Sequence, residues 1–111
     1  MQSEHLERAI KELATRENEF VSAVRDSPAK QHNYKIKFAV ALEMADGSVE
    51  AKKAAATKIC SKEYLEHLEA EARVEIAKTL LYDVREVLAA RRSLLSYEKA
   101  EMELAGRDGA A

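Results

Sequence analysis

From Lys62 to Ala105 the chain runs KEYLEHLEAEARVEIAKTLLYDVREVLAARRSLLSYEKAEMELA without a Gly or a Pro. A run this long, built from Ala, Leu, Glu, Lys and Arg, has few alternatives to helix. These residues lose little side-chain freedom in a helix and are poor strand formers. Ser61 begins the segment, and residues 62–100 in one helix would be about 60 Å long at 1.5 Å per residue. Its apolar stripe reads Leu65, Leu68, Ala72, Ile76, Leu80, Val84, Val87/Leu88, Arg91, Leu95, with charges opposite. The last residues, GRDGAA, carry no apolar anchor and are expected as a flexible tail over 106–111.

The N-terminal segment gives the same kind of signal. Leu6, Ile10, Leu13, Glu17, Phe20 and Val24 follow one another by four and three residues, the spacing of a coiled-coil seam that Glu17 interrupts. Ser3 is a candidate N-cap. Asp26-Ser27-Pro28 then predicts a break, with Ser27 capping a new helix and Pro28 at its first position, where a missing N–H costs nothing.

Residues 34–58, YKIKFAVALEMADGSVEAKKAAATK, support two readings. Ile36, Phe38, Val40, Leu42 and Met44 alternate like a strand, and Asp46-Gly47 is good hairpin chemistry. As a helix, the same residues form one face of Tyr34, Phe38, Ala41, Leu42 and Ala45 and a second of Ile36, Val40 and Met44. The partner strand would be SVEAKKAAATK, whose Ala, Lys and Glu are depleted in strands, whereas Ser48 offers a fresh N-cap. The balance favours helix, turn, helix. A helix apolar on two faces has to be covered on both, which predicts self-association.

At 111 residues the chain has room for one domain, expected over residues 1–105 with helices at about 3–25, 28–45, 48–59 and 62–100. The lone Cys60 cannot form an internal disulfide and reads as a small apolar residue at a helix junction. MQSEHLERAIKEL lacks the apolar core of a signal peptide, and no run approaches the roughly 20 apolar residues needed to span a bilayer. A cytoplasmic protein with no membrane partner is expected, in the host cytoplasm if phage-encoded.

Candidate chemistry is sparse. Glu63, Glu66, Glu69, Glu71 and Glu75 flank His67, but a di-iron bundle needs Glu-x-x-His pairs from two helices. A helical nucleotide pyrophosphohydrolase would need Glu-x-x-Glu and, on a later helix, Glu-x-x-Asp, of which only the first half is present. The face reads as solvated helix. His5, His32 and His67 share no ligand spacing, and nothing resembles a nucleophile–base pair. No catalytic residue, metal site or cofactor is expected.

Charge is the more informative signal. The net charge of −2 hides a central segment, residues 27–62, with seven basic and three acidic side chains. The basic ones are Lys30, Lys35, Lys37, Lys52, Lys53, Lys58 and Lys62. Lysines neutralise phosphates without reading sequence, and Tyr34 and Phe38 among them are able to stack on unpaired bases if they are not core aromatics. These seven lysines are the candidate DNA-binding residues.

The order of features resembles a family of small helical phage proteins. YKIKFAVALEMADGSVEAKKAAATK is similar to their Lys/Ala-rich helix, Gly turn and short helix. EYLEHLEAEARVEIAKTLLYDVREVLAARRSLLSYE is similar to their long final helix with its Arg-Ser-Leu ending. The best-known relatives of this shape are the UvsY-type recombination mediators. Over residues 34–98 the resemblance implies an oligomeric, mostly helical accessory protein that binds single-stranded DNA. It also implies help in loading a recombinase onto strands coated by single-strand-binding protein. The expected fold class is all-α, an elongated helical hairpin or bundle with a long C-terminal helix, oligomeric. The expected function is a non-enzymatic single-stranded-DNA-binding mediator. The alternative is a structural scaffold or adaptor without a nucleic-acid role.

Overall fold

The chain is all-α in a computed structural model that describes the backbone of residues 2–110 and the side chains of residues 4–106. Three helices follow in order: α1 (Gln2–Met44, 43 residues), α2 (Val49–Ile59, 11 residues) and α3 (Ser61–Ala110, 50 residues). No strand occurs among the described residues. The strand hairpin over 34–58 is thus settled in favour of helix, turn, helix.

The turn is built as its residues dictate. Gly47 takes φ +108°, a region that L side chains rarely adopt. Ser48 then caps α2, its Oγ accepting a hydrogen bond from the Ala51 N–H at 3.2 Å. At the other end of α2, Cys60 leaves the helical conformation while its N–H still bonds the Ala56 carbonyl at 2.9 Å. Its own carbonyl accepts from the Tyr64 N–H at 2.9 Å, so Cys60 joins α2 to α3 without stranding a backbone group.

The break expected at Asp26-Ser27-Pro28 does not occur, and α1 continues through Pro28. Proline inside a helix costs roughly 3 kcal/mol through its lost N–H and its clash with the preceding turn. Packing on both sides offsets it. Ala23 is buried, Ser27 and Tyr34 are half-buried, and Asp26 pairs with Arg73 of α3 at 3.8 Å. A new cap at Ser27 would turn one of these flanks away from α3. The end of α3 also differs from expectation: the helix passes Gly106 and extends through Ala110. The side chain of Ser3, expected as a cap, lies outside the described residues, and its backbone is already helical.

Contacts gather into two compact units, Met1–Glu17 with Thr79–Ala111, and Asn18–Lys78. In the first, Ala9 of α1 packs with Val84 and Leu88 of α3, and Leu6 and Leu13 close the cluster. Burying Val84 and Leu88 contributes about 1.5–3 kcal/mol each. Glu17 is exposed and pairs with Arg85 at 3.8 Å. In the second unit, Ala41, Ala56 and Cys60 form the buried cluster, with Tyr34, Phe38 and Leu42 packed against it.

The inward face agrees only in part with the one that apolar spacing suggests: Leu6, Leu13 and Phe20 of α1 and Val84, Leu88, Arg91 and Leu95 of α3 are inward as expected, and the rest is displaced by one residue or more. Along α1 the positions turned inward are Leu6, Ala9, Leu13 and Arg16, then Phe20 and Ala23, while Ile10, Glu17 and Val24 are exposed. Along α3 they are Glu63, His67, Ala70, Val74 and Ala77, then Leu81, Val84, Leu88, Arg91 and Leu95. These follow an unbroken four–three spacing. Leu65, Leu68 and Ile76, expected inside, face outward. Among the described residues, six of the ten buried apolar ones are alanines, which lets helices approach closely but leaves larger side chains in solvent.

Candidate nucleic-acid interface

All seven candidate lysines belong to the unit formed by residues 18–78. The turn at residues 45–48 folds α2 back against α1, and the floor of that contact is Ala41 against Ala56 and Cys60, with Ala56 fully buried. The small side chains fix the distance, so the lysines one turn away on each helix reach solvent.

The structure sorts them into two sets. Lys37 Nζ donates to Glu63 Oε1 at 2.8 Å, Lys30 lies 4.0 Å from Glu66, and Lys62 lies 3.9 Å from the same carboxylate. Lys30 and Lys37 sit on the side of α1 that faces α3, so these cations meet the acidic first turns of α3 rather than a ligand. The hydrogen bond to Glu63, reinforced by its charge, raises the Lys37 pKa above its ordinary value. The same hydrogen bond holds the Glu63 carboxyl below its ordinary value, helped by a backbone hydrogen bond.

Lys35, Lys52, Lys53 and Lys58 have no carboxylate within ion-pair distance among the described residues. Lys35, Lys53 and Lys58 are exposed and Lys52 is half-buried. They do not share one face. At 100° per residue, Lys52 and Lys53 flank the buried Ala56 within about 60°, whereas Lys58 lies about 160° around α2 from it. Lys52, Lys53 and Lys58 share a short helix with a single carboxylate, Glu50, in its first turn, whereas Lys35 stands on α1.

The aromatic residues serve packing. Tyr34 lies 5.8 Å from Phe38, 5.3 Å from Tyr64 and 5.9 Å from His67, whose ring is parallel to it within 2°. His67 Nε2 is 3.2 Å from Glu71, and its Nδ1 is buried without a hydrogen-bond partner among the described residues. Tyr34 and Phe38 support the buried cluster, and of this group Tyr64 is the more exposed ring. No group of three or more His, Cys, Asp or Glu side chains suited to a metal ion occurs among the described residues. No helix among them is long and apolar enough to cross a membrane.

Beside the lysines lies a feature that charge alone does not reveal. An open groove of about 620 Å3 runs between α1 and α2, walled by Ile36, Val40, Met44 and Ile59 and floored by Ala41, Ala55 and Cys60. The i, i+4, i+8 spacing of Ile36, Val40 and Met44 is the signal from which it was legible.

Compared with known proteins, the chain matches no protein-family model, no curated protein and no solved structure.

Proposed function

We propose that this protein is a non-enzymatic accessory protein that binds single-stranded DNA in phage-type recombination or replication, and that it acts as an assembly of identical chains. Lys35, Lys52, Lys53 and Lys58 contact phosphates, and the partners are single-stranded DNA and a recombinase or single-strand-binding protein. The supporting observation is that these four lysines remain unneutralised in a chain with 20 acidic and 18 basic side chains. Where carboxylates outnumber cations, leaving Lys35 of α1 and the lysines of α2 unpaired keeps them available to an external anion. The resemblance of residues 34–98 to the UvsY-type mediators supports the same reading.

Lys30, Lys37 and Lys62 have a lesser part in this reading. Each would have to leave a carboxylate before meeting a phosphate; Lys30 and Lys37 hold α1 to α3, and Lys62 pairs with Glu66 within α3.

The second reading is a helical scaffold or adaptor with no nucleic-acid role. It is favoured by the large apolar side chains in solvent, including Met44 at 80% and Ile59 at 68% exposure. A titration of labelled single-stranded oligonucleotide separates the two readings. The mediator reading expects binding that weakens with salt, and its loss in the Lys52→Glu/Lys53→Glu double variant with the assembled mass unchanged. Unchanged binding by that variant sinks the site assignment. No binding even at low salt sinks the mediator reading and leaves the scaffold.

A further inference from the structure

The large apolar residues that the fold leaves outside are not scattered. Within the unit of residues 18–78 most of them form two shapes. One is concave: the groove between α1 and α2, with Ile36, Val40, Met44 and Ile59 as walls and small residues as floor. The other is convex. Leu65, Leu68, Ala72 and Ile76 lie roughly 120–160° around α3 from the buried Ala70, so they form a ridge on the side of α3 turned away from the rest of the unit.

The geometry points to a heterologous contact in which the α3 ridge of one copy of this chain seats in the α1–α2 groove of the next. Two observations carry the assignment. The first is shape. Two grooves facing one another would leave both floors of Ala41, Ala55 and Cys60 uncovered, whereas a ridge of Leu and Ile fills a floor of small residues. The ridge spans about 17 Å and the Ile36–Met44 wall about 12 Å at 1.5 Å per residue, so the ridge is long enough to cover the whole wall.

The second is area. The exposed parts of Ile36, Val40, Met44 and Ile59 present on the order of 500 Å2, near the largest apolar patch that a monomer usually leaves open. Covered by a similar area of ridge, the contact buries roughly 1,000 Å2 in total, the lower bound of a specific interface.

Because each copy carries both a groove and a ridge, the contact repeats from copy to copy and closes into a ring or extends as a filament. This deepens the self-association in the proposed function and rests on that part of it.

The test is complementation, read as mass by light scattering in the absence of DNA. Val40→Glu disables the groove and Ile76→Glu the ridge. Both side chains are exposed in the isolated chain, so helical content is expected to stay unchanged. The wild type is expected as an assembly at about 100 µM, a concentration that reveals contacts of micromolar affinity. Each variant alone is expected as a single chain, and their equimolar mixture as a two-chain species, since one groove and one ridge survive. If Ile76→Glu assembles as the wild type does while Val40→Glu does not, the contact is groove to groove and the proposal falls. If both variants still assemble, or the wild type is a single chain, it falls as well. Val40→Ser and Ile76→Ser provide the same test should either glutamate variant lose its helix signal. None of these outcomes bears on the anisotropy titration, so the loss of this contact and the loss of DNA binding are separate results.

Discussion

Replacing Pro28 by Ala distinguishes a continuous α1 from two helices that meet at residues 26–28, and the two cases predict opposite signs. In α1, Pro28 lies far from either end of a 43-residue helix and is exposed. Its ring removes the N–H that would bond the Val24 carbonyl and crowds that turn. The propensity difference between Pro and Ala inside a helix is about 3 kcal/mol. Against this, the unfolded chain regains about 0.4–1 kcal/mol of freedom when proline is lost. The balance is a stabilisation of about 2 kcal/mol, which for a chain of this size raises Tm by roughly 10 °C. Thermal unfolding followed by circular dichroism at one fixed protein concentration reads it, since assembly would make Tm depend on concentration. The companion variant Ser27→Ala is expected to be neutral or slightly stabilising, because Ser27 is an interior helical residue. A capped helix starting at Ser27 would give the reverse: little or no gain from Pro28→Ala, and a loss of about 0.5–2 kcal/mol from Ser27→Ala. That pair of results would refute a continuous α1.

Other expectations follow from single contacts. Gly47→Ala places a Cβ on a backbone at φ +108°, 3.4 Å from the Ala51 Cβ, and is expected to cost about 1–2 kcal/mol in urea unfolding. Leu88→Ala opens a cavity beside Ala9 and Val84 and is expected to cost about 2–5 kcal/mol by the same assay. The Lys37–Glu63 pair gives a pH signature. Glu63 is held below its ordinary value of 4.5, so its contribution is complete above that pH and is lost as pH falls through the depressed folded value. Lys37 is raised above its ordinary 10.5, so its contribution is complete below that pH and is lost as pH rises through the folded value. The Tm difference between wild type and Lys37→Met is therefore expected to be flat from about pH 6 to 9 and to shrink in acid. A difference that grows in acid would contradict the assignment.

Helix type, the Gly47 turn, the Ser48 cap and the long α3 were all legible, because each rests on local chemistry that the fold leaves undisturbed. The inward face was legible only in part: Leu6, Leu13 and Phe20 of α1 and Val84, Leu88, Arg91 and Leu95 of α3 stood on the expected stripes, whereas Leu65, Leu68 and Ile76 did not turn inward. Leu6, Ile10 and Leu13 and their shifted neighbours Leu6, Ala9 and Leu13 satisfy the same four–three spacing, and hydrophobicity favours Ile10 over Ala9. Close approach of the helices favours the alanine, and that preference depends on a partner helix that local spacing does not specify. Pro28 was misread for a related reason. Its local cost is real, but the packing of Ala23 and Tyr34 on either side outweighs it. For the lysines, clustering was visible and pairing was not. Lys37 meets Glu63 across 26 residues of sequence, a contact that no count of charges contains. The groove was foreshadowed by the second apolar face of residues 36–44, but its floor joins Ala41 of α1 to Ala55 and Cys60 of α2 and its cap.

The claim that unpaired lysines bind single-stranded DNA is tested most directly by the salt dependence of oligonucleotide binding. Each phosphate neutralised on a single strand contributes about −0.7 to the slope of log affinity against log salt. Contacts from Lys35, Lys52, Lys53 and Lys58 predict a slope of roughly −3, with weaker binding to duplex of the same sequence. A slope near −5 would mean that Lys30, Lys37 and Lys62 leave their carboxylates to bind as well. Absence of binding at low salt would contradict the account and leave a helical protein whose lysines only solvate its surface.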